Sequence, residues 1–209
     1  GEVDSTTGYV SAADFENSLS VINFTGTKTW VDQDDAYHTR PAQIDLQLYA
    51  DNALLNPQPE PVWQPTADAN VWAFTYSALP RYRTDGITPI VYYIAEAVPT
   101  GYLADAATAY GTVGADGHVV DAALTNRLAT ISVQGEKVWV DDSDRYGMRP
   151  ANLNLAVLAD GAVMADQPTV QWSREGNVWS FQMVGLPRYN ASTGEPTSYT
   201  FQEMIPDGY

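Results

Sequence analysis

The chain repeats itself, and this constrains its fold more than any other property of the sequence. "GTKTWVDQDDAYHTRPAQIDLQLYADN" (Gly26–Asn52) lies over "GEKVWVDDSDRYGMRPANLNLAVLADG" (Gly135–Gly161) at an offset of 109 residues. "VWAFTYSALPRYRTDG" (Val71–Gly86) matches "VWSFQMVGLPRYNASTG" (Val178–Gly194), and "YYIAEAVPTGY" (Tyr92–Tyr102) matches "YTFQEMIPDGY" (Tyr199–Tyr209), with Trp72 to Trp179 and Tyr102 to Tyr209 both 107 apart. The two-residue change falls in the Pro-rich stretch between the first two blocks, where a loop tolerates it. Two copies of one module therefore account for nearly the whole chain.

Within each copy the apolar residues alternate with period two between clusters of Pro, Gly, Asn and Asp. Ile44, Leu46 and Leu48 share one parity, as do Leu153, Leu155 and Val157; Trp72, Phe74 and Tyr76 are repeated by Trp179, Phe181 and Met183. Helical spacing is confined to the short "AADFENSL" at Ala12–Leu19. Several short strands per module of about 100 residues predict an all-β chain of two tandem immunoglobulin-like antiparallel sandwiches. The expected division is 1–19 as an extension or the closing-strand remnant of an upstream module, 20–130 as the first module, and 131–209 as the second, lacking its last strand.

Composition removes several function classes. Ten Lys and Arg stand against twenty-six Asp and Glu, a formal net charge of -16, which repels nucleic acid and anionic membranes. With no cysteine, neither disulfides nor thiolate metal sites are available. No apolar stretch is long enough to span a membrane and no signal peptide is visible. No metal or cofactor is expected.

Polar residues of three kinds fall on faces that otherwise read as core. Lys28 shares parity with Ile22, Phe24 and Trp30, and Lys137 with Ile131, Val133 and Trp139. Glu96 falls with Tyr92, Ile94 and Val98, and Glu203 with Tyr199, Phe201 and Ile205. In "VVDAALTNRLATISV", Asn126 falls with Val120, Leu124 and Leu128 while Thr125 and Arg127 face outward. Burying any of these alone is costly, but together they satisfy one another. Periodicity leaves two further readings open: a buried salt bridge with an amide neighbour, or a parity offset by a bulge at Gly26 or Gly135.

The motifs "GTKTW", "RPAQIDLQLYADN", "WAFTYSALPRY", "VYYIAEAVPTGY" and "LTNRLATISVQGEKVW" resemble the B-type domain of the Cna collagen adhesin, a module repeated in the stalks of Gram-positive surface adhesins and pilins. The resemblance covers residues from about 20 to 209. It implies a structural stalk repeat of an extracellular, cell-wall-anchored protein, with a spontaneous Lys–Asn isopeptide bond inside the module. Carried onto this chain, it implies Lys28 as nucleophile, Asn126 as electrophile and Glu96 as the proton-shuttling acid. Lys137 and Glu203 are the second-module equivalents, without an Asn in their own copy. The implied partners are neighbouring modules of the same protein and, through other domains, a host matrix protein or glycan.

Asn126 lies eleven residues before Lys137, and Asn17 lies eleven before Lys28. Asn17 is therefore the candidate asparagine of an upstream module, and the chain is expected to be a fragment of a longer array. The second module is expected either to leave a sheet edge open or to borrow residues 10–19 of a neighbouring molecule as its last strand.

Other features weigh less. "DQDD" at Asp32–Asp35 and "DDSD" at Asp141–Asp144 lack the glycine and glutamate of an EF-hand loop and read as solvated acidic turns. A carbohydrate- or matrix-binding β-sandwich module is the alternative function; Trp30, Trp72, Trp139 and Trp179 have core parity, which leaves Trp63 and Trp172, near loops, as candidate glycan contacts. An enzyme is not expected. His38 and His118 are not repeated, and no Gly-x-Ser-x-Gly motif occurs.

Overall fold

The computed structural model describes residues 5–7 and 16–209. Every regular element among them is a strand. The first module holds β1 (Val21–Val31), β2 (Leu46–Ala50), β3 (Ala53–Leu54), β4 (Val62–Pro65), β5 (Val71–Pro80), β6 (Tyr92–Glu96), β7 (Tyr102–Ala104), β8 (Thr108–Ala109), β9 (Thr112–Val113) and β10 (Val119–Leu128). The second holds β11 (Thr130–Val138), β12 (Leu155–Ala159), β13 (Ala162–Val163), β14 (Gln171–Glu175), β15 (Val178–Pro187) and β16 (Tyr199–Glu203).

In the first module one sheet has the order β4-β5-β1-β10-β7, with β9 also on β10, and it faces a second of order β3-β2-β6-β8. Phe24, Leu48, Phe74, Tyr76, Ile94 and Leu124 fill the space between them. The second module repeats this as β11-β15-β14 against β13-β12-β16, around Val157, Met183 and Leu186. The burial of β1 alternates along its length as the sequence predicts, with Ile22, Phe24, Gly26, Lys28 and Trp30 inward.

Local backbone geometry follows the repeat. Ala78 and Gly185 occupy equivalent positions at φ 58° and 76°, where the register of β5 on β1 and of β15 on β11 shifts. These bulges turn Leu79 and Leu186 into their cores. The hairpins after β2 and β12 use Asp51-Asn52 and Asp160-Gly161, all at positive φ, as a tight primed turn demands.

One ladder departs from the antiparallel expectation. β10 runs parallel to β1, with Lys28 opposite Leu124 and Trp30 opposite Asn126. This is possible because most of the module's chain separates the two strands, long enough to cross over and return. The approach is close at Gly26, where a Cβ would collide with the Ala122 carbonyl. β10 also bulges at Asp121, whose φ is 59°, and this corrects the sequence parity: Val119 is buried and Val120 is exposed. The alternation resumes at Ala122, so Leu124, Asn126 and Leu128 point inward as read.

The modules meet through the loop after β1. Tyr37 packs against apolar clusters of both, and Gln33 Nε2 donates to the Gly185 carbonyl at 2.8 Å.

Candidate functional site: a buried lysine, glutamate and asparagine

Lys28 sits on β1, Asn126 beside it on β10, and Glu96 on β6 in the facing sheet, so the three side chains converge across the core. Lys28 and Asn126 are both 0% exposed. Lys28 Nζ donates to Glu96 Oε2 at 2.7 Å, and Asn126 Nδ2 donates to Glu96 Oε1 at 2.9 Å. The two oxygens of one carboxylate thus hold the lysine and the amide together. Desolvation pulls the Lys28 pKa below its ordinary value, and Glu96 opposes that pull without cancelling it. The Asn126 Oδ1 is buried with no partner among the described residues. A buried carbonyl oxygen left unmatched costs free energy, and such a group calls for a structural or chemical reason.

Aromatic rings close the site. Trp30 lies under the lysine, with Nζ 4.8 Å from the ring centroid, and Tyr102 packs edge-on against Trp30 at 5.0 Å. The side chain that holds Tyr102 in place is Asp32, which corrects the solvated reading at that one residue; Gln33 and Asp34, like Asp142 and Ser143, lie exposed in turns as read. Asp32 is buried and accepts from Arg40 Nε at 2.7 Å, from Arg40 Nη2 at 2.6 Å and from Tyr102 Oη at 2.9 Å. Asp35 Oδ1 accepts the backbone N–H groups of Thr39 and Arg40, and Arg40 also reaches Asn70 Oδ1. Arg40 thus supplies the positive charge that faces the Asp32 carboxylate. Burial would raise the Asp32 pKa, but the hydrogen bonds from Arg40 and Tyr102 outweigh it and hold the carboxyl below its usual range.

The second module repeats most of this. Arg149 pairs with Asp141 through Nε at 2.6 Å, Tyr209 Oη donates to Asp141 at 2.9 Å, and Lys137 Nζ lies 4.8 Å over Trp139. Lys137 Nζ contacts Glu203 at 2.7 Å, but the two side chains are 24% and 27% exposed, against 0% for Lys28 and Glu96. The cause is the missing neighbour: among the described residues no strand lies beside β11 where β10 lies beside β1. No asparagine joins this pair. Asn17 is exposed, in an irregular segment over 16–20; residues 1–4 and 8–15, with the first half of the short helical pattern, lie outside the described residues.

The other sequence candidates resolve as follows. Trp63 and Trp172 lie on the short strands β4 and β14 and pack edge-on or tilted against Trp72 with Phe74 and against Trp179 with Phe181. His118 Nδ1 accepts the Asn23 N–H, and His38 lies 3.4 Å from Asp166 on the surface. Val98 and Ile205 are exposed, because β6 and β16 stop at Glu96 and Glu203. The Asp–Arg–Tyr clasp was missed in the sequence. Its signal is there in the repeat, since Asp32 and Asp141, Arg40 and Arg149, and Tyr102 and Tyr209 all recur.

Fold and site define a tandem immunoglobulin-like repeat in which an inward lysine on the first strand meets a glutamate from the opposite sheet. A family model, the Cna protein B-type domain, matches residues 24–120 and 133–209. The chain belongs to the Cna B-type domain family. It is 27% identical over 187 residues to a collagen adhesin of Staphylococcus aureus, a match covering 86% of this chain and 14% of that protein. The chain thus spans about a seventh of this curated relative's length. Among solved structures, a single B repeat unit of the collagen-binding surface protein of Staphylococcus aureus aligns at 20% identity and TM-score 0.37, covering 91% of this chain and 89% of that one. The two-repeat B1B2 structure of the same protein aligns at 22% identity and TM-score 0.37, covering 88% and 44%.

Proposed function

We propose that the chain is a stalk segment of an extracellular surface adhesin, and that its first module is stiffened by an isopeptide bond between Lys28 and Asn126. The observation that carries the reading is the pairing of a desolvated lysine with a buried asparagine whose carbonyl oxygen has no partner, both touching Glu96. In the uncrosslinked site a proton passes from the lysine ammonium to Glu96. The neutral amine attacks Asn126 Cγ, the protonated carboxyl polarises the amide oxygen once the amide turns that end toward it, and an amine proton is relayed to the leaving nitrogen. The new Nζ–Cγ bond forms, the Cγ–Nδ2 bond breaks, and ammonia departs. Glu96 is left protonated and able to donate to the formerly unpartnered oxygen, so no charge remains in the core. Folding supplies the proximity, and the reaction runs once.

The mechanical consequence follows from the topology. β1 and β10 are parallel, so tension applied at the module's two ends shears one strand along the other. A bond from Lys28 to Asn126 carries that load covalently and bypasses the chain between them. By analogy with a disulfide, closing a loop of about 100 residues stabilises by roughly 4–5 kcal/mol in the entropic model. The role is structural rather than enzymatic, with no cofactor. Its partners are adjacent modules, and a matrix protein or glycan would be bound by other domains of the parent protein.

The test is the intact mass under denaturing conditions, with Lys28→Ala alongside. A wild-type mass one ammonia below the sequence value, restored in the variant, is the expected result. An unshifted wild-type mass would reduce the cluster to a buried polar network and remove the bond.

A further inference from the structure

Trp30 covers Lys28, with Nζ 4.8 Å from its ring centroid, and is itself buried at 2% exposure. A buried indole ordinarily finds an acceptor for its N–H, and that bond helps to fix the ring. Trp30 Nε1 has no partner among the described residues, so something other than its own hydrogen bond sets the angle of the ring. Its neighbours do this. Tyr102 meets it edge-on at 5.0 Å and Trp72 at 5.8 Å, and Arg40 Cζ stands 5.8 Å from its centroid.

Tyr102 is the neighbour gripped at its far end. Its hydroxyl donates to Asp32 at 2.9 Å and lies 2.8 Å from Thr39 Oγ1, so the loop after β1 holds the ring by two groups. Asp32 is braced in turn by Arg40. The arrangement recurs around Trp139, whose Nε1 is also unpartnered among the described residues: Lys137 Nζ lies at 4.8 Å, Tyr209 at 4.9 Å and Arg149 at 5.6 Å. An indole N–H left unmatched in both copies indicates that the ring is placed for the face it turns to the lysine.

We propose that Tyr102 is a positioning residue for bond formation in the first module: clamped by Asp32 and Thr39, its ring fixes Trp30 over Lys28 and keeps water from the nucleophile. The inference rests on the isopeptide reading above and adds a requirement to it. Glu96 is the charged group in contact with Lys28, while Arg40 and Asp32 lie beyond Trp30. Desolvation is the largest influence on the lysine. Water admitted beside Nζ would solvate the ammonium and hold back the proton transfer to Glu96 that frees the amine. The covering is done by the Tyr102 ring, and the hydroxyl only anchors it. Tyr102 acts through Trp30 and takes no part in the proton transfers.

The experiment follows newly made full chain, still unfolded in denaturant and of full sequence mass, after dilution into folding buffer. Circular dichroism reports folding, and quenched mass spectra report the loss of ammonia. Tyr102→Ala is expected to fold and then lose ammonia roughly 10- to 100-fold more slowly than the wild type, the range for a misplaced reacting group. Tyr102→Leu, which keeps bulk without the flat ring, serves if Tyr102→Ala does not fold, with the same slowing expected. Tyr102→Phe keeps the ring and should restore most of the rate. Leu79→Ala opens a cavity opposite Ile22, well away from Lys28 along β1, and should react as the wild type does, which separates positioning from lost stability. In an Asn126→Ala background, where no bond forms, an amine-acylating reagent should spare Lys28 while Tyr102 is present and modify it once the ring is removed. A wild type that folds and keeps its ammonia would remove the bond and this role with it. A wild type that loses ammonia while Tyr102→Ala or Tyr102→Leu matches its rate, or a Lys28 equally shielded without the Tyr102 ring, would leave the bond standing and overturn the role of Tyr102.

Discussion

Gly26 lies against the carbonyl of Ala122 across the parallel β1–β10 ladder, with no room for a side chain between them. Since the obstacle is backbone on one side and the Phe74 ring on the other, nothing nearby can yield cheaply. Gly26→Ala is expected to destabilise the first module by about 3 kcal/mol, the upper range for overpacking. Gly135→Ala meets only the Phe181 ring and should cost about 1 kcal/mol. Chemical denaturation resolves the two if the modules give separate transitions; equal losses would mean the β10 contact is not what excludes a side chain at Gly26.

The two Lys–Glu pairs differ in burial and so in what their removal costs. Glu96→Ala strands a fully buried ammonium, at about 3–5 kcal/mol. Glu203→Ala leaves Lys137 partly in water, where the loss is about 1 kcal/mol or less. The comparison belongs in an Asn126→Ala background, in which no cross-link can form. Comparable costs would show that β10 does not seal the first site from solvent.

The repeat and the period-two pattern made the fold legible, and they put Lys28, Glu96 and Asn126 on inward faces, because strand parity is a local property. What they could not reach depends on distant chain. Val120 was assigned inward because nothing local announces that Asp121 takes φ 59° to follow β1 past Gly26. The burial of Asp32 within its acidic turn is not legible, because Arg40 and Tyr102, which cover it, arrive from eight and seventy residues away. The packing of Trp63 on Trp72 and Phe74 is not legible either, because it depends on pairing of the short edge strand β4 with β5. The parallel pairing of β10 is likewise invisible to a pattern that fixes only which face a residue takes.

Asp32 is expected to make the first module sensitive to acid. Its folded pKa lies below the ordinary 3.8, so the folded state binds the proton less readily than the unfolded chain. The stability it contributes is complete above pH 4 or so, and is lost as the pH falls through the depressed folded value. Melting temperature should accordingly decline below about pH 4, and the decline should be shallower in Asp32→Asn, which starts lower. Tyr102→Phe removes the hydroxyl that bonds both Asp32 and Thr39, and should cost about 1–2 kcal/mol at neutral pH. An Asp32→Asn profile parallel to the wild type would place the acid sensitivity elsewhere.

Tyr37 is the side chain on which the joint between modules depends most. It is half-buried and packs with Trp30, Tyr102 and Leu128 on one side and with the Val157, Met183 and Leu186 cluster on the other. Burial, with Asp166 nearby, raises its pKa, as expected of a phenol withdrawn from water at an interface. The other links are thinner: the Gln33–Gly185 hydrogen bond is exposed, and the His38–Asp166 pair, with side chains 80% and 56% exposed, adds little. Tyr37→Ala should therefore free the two sandwiches to reorient while leaving each folded. Small-angle scattering should report a broader distribution of overall dimensions, and circular dichroism an unchanged strand content. His38→Ala should leave the scattering curve as it is. If instead Tyr37→Ala scatters like the wild type, the packing of Tyr37 across the joint contributes nothing to how the two sandwiches are held.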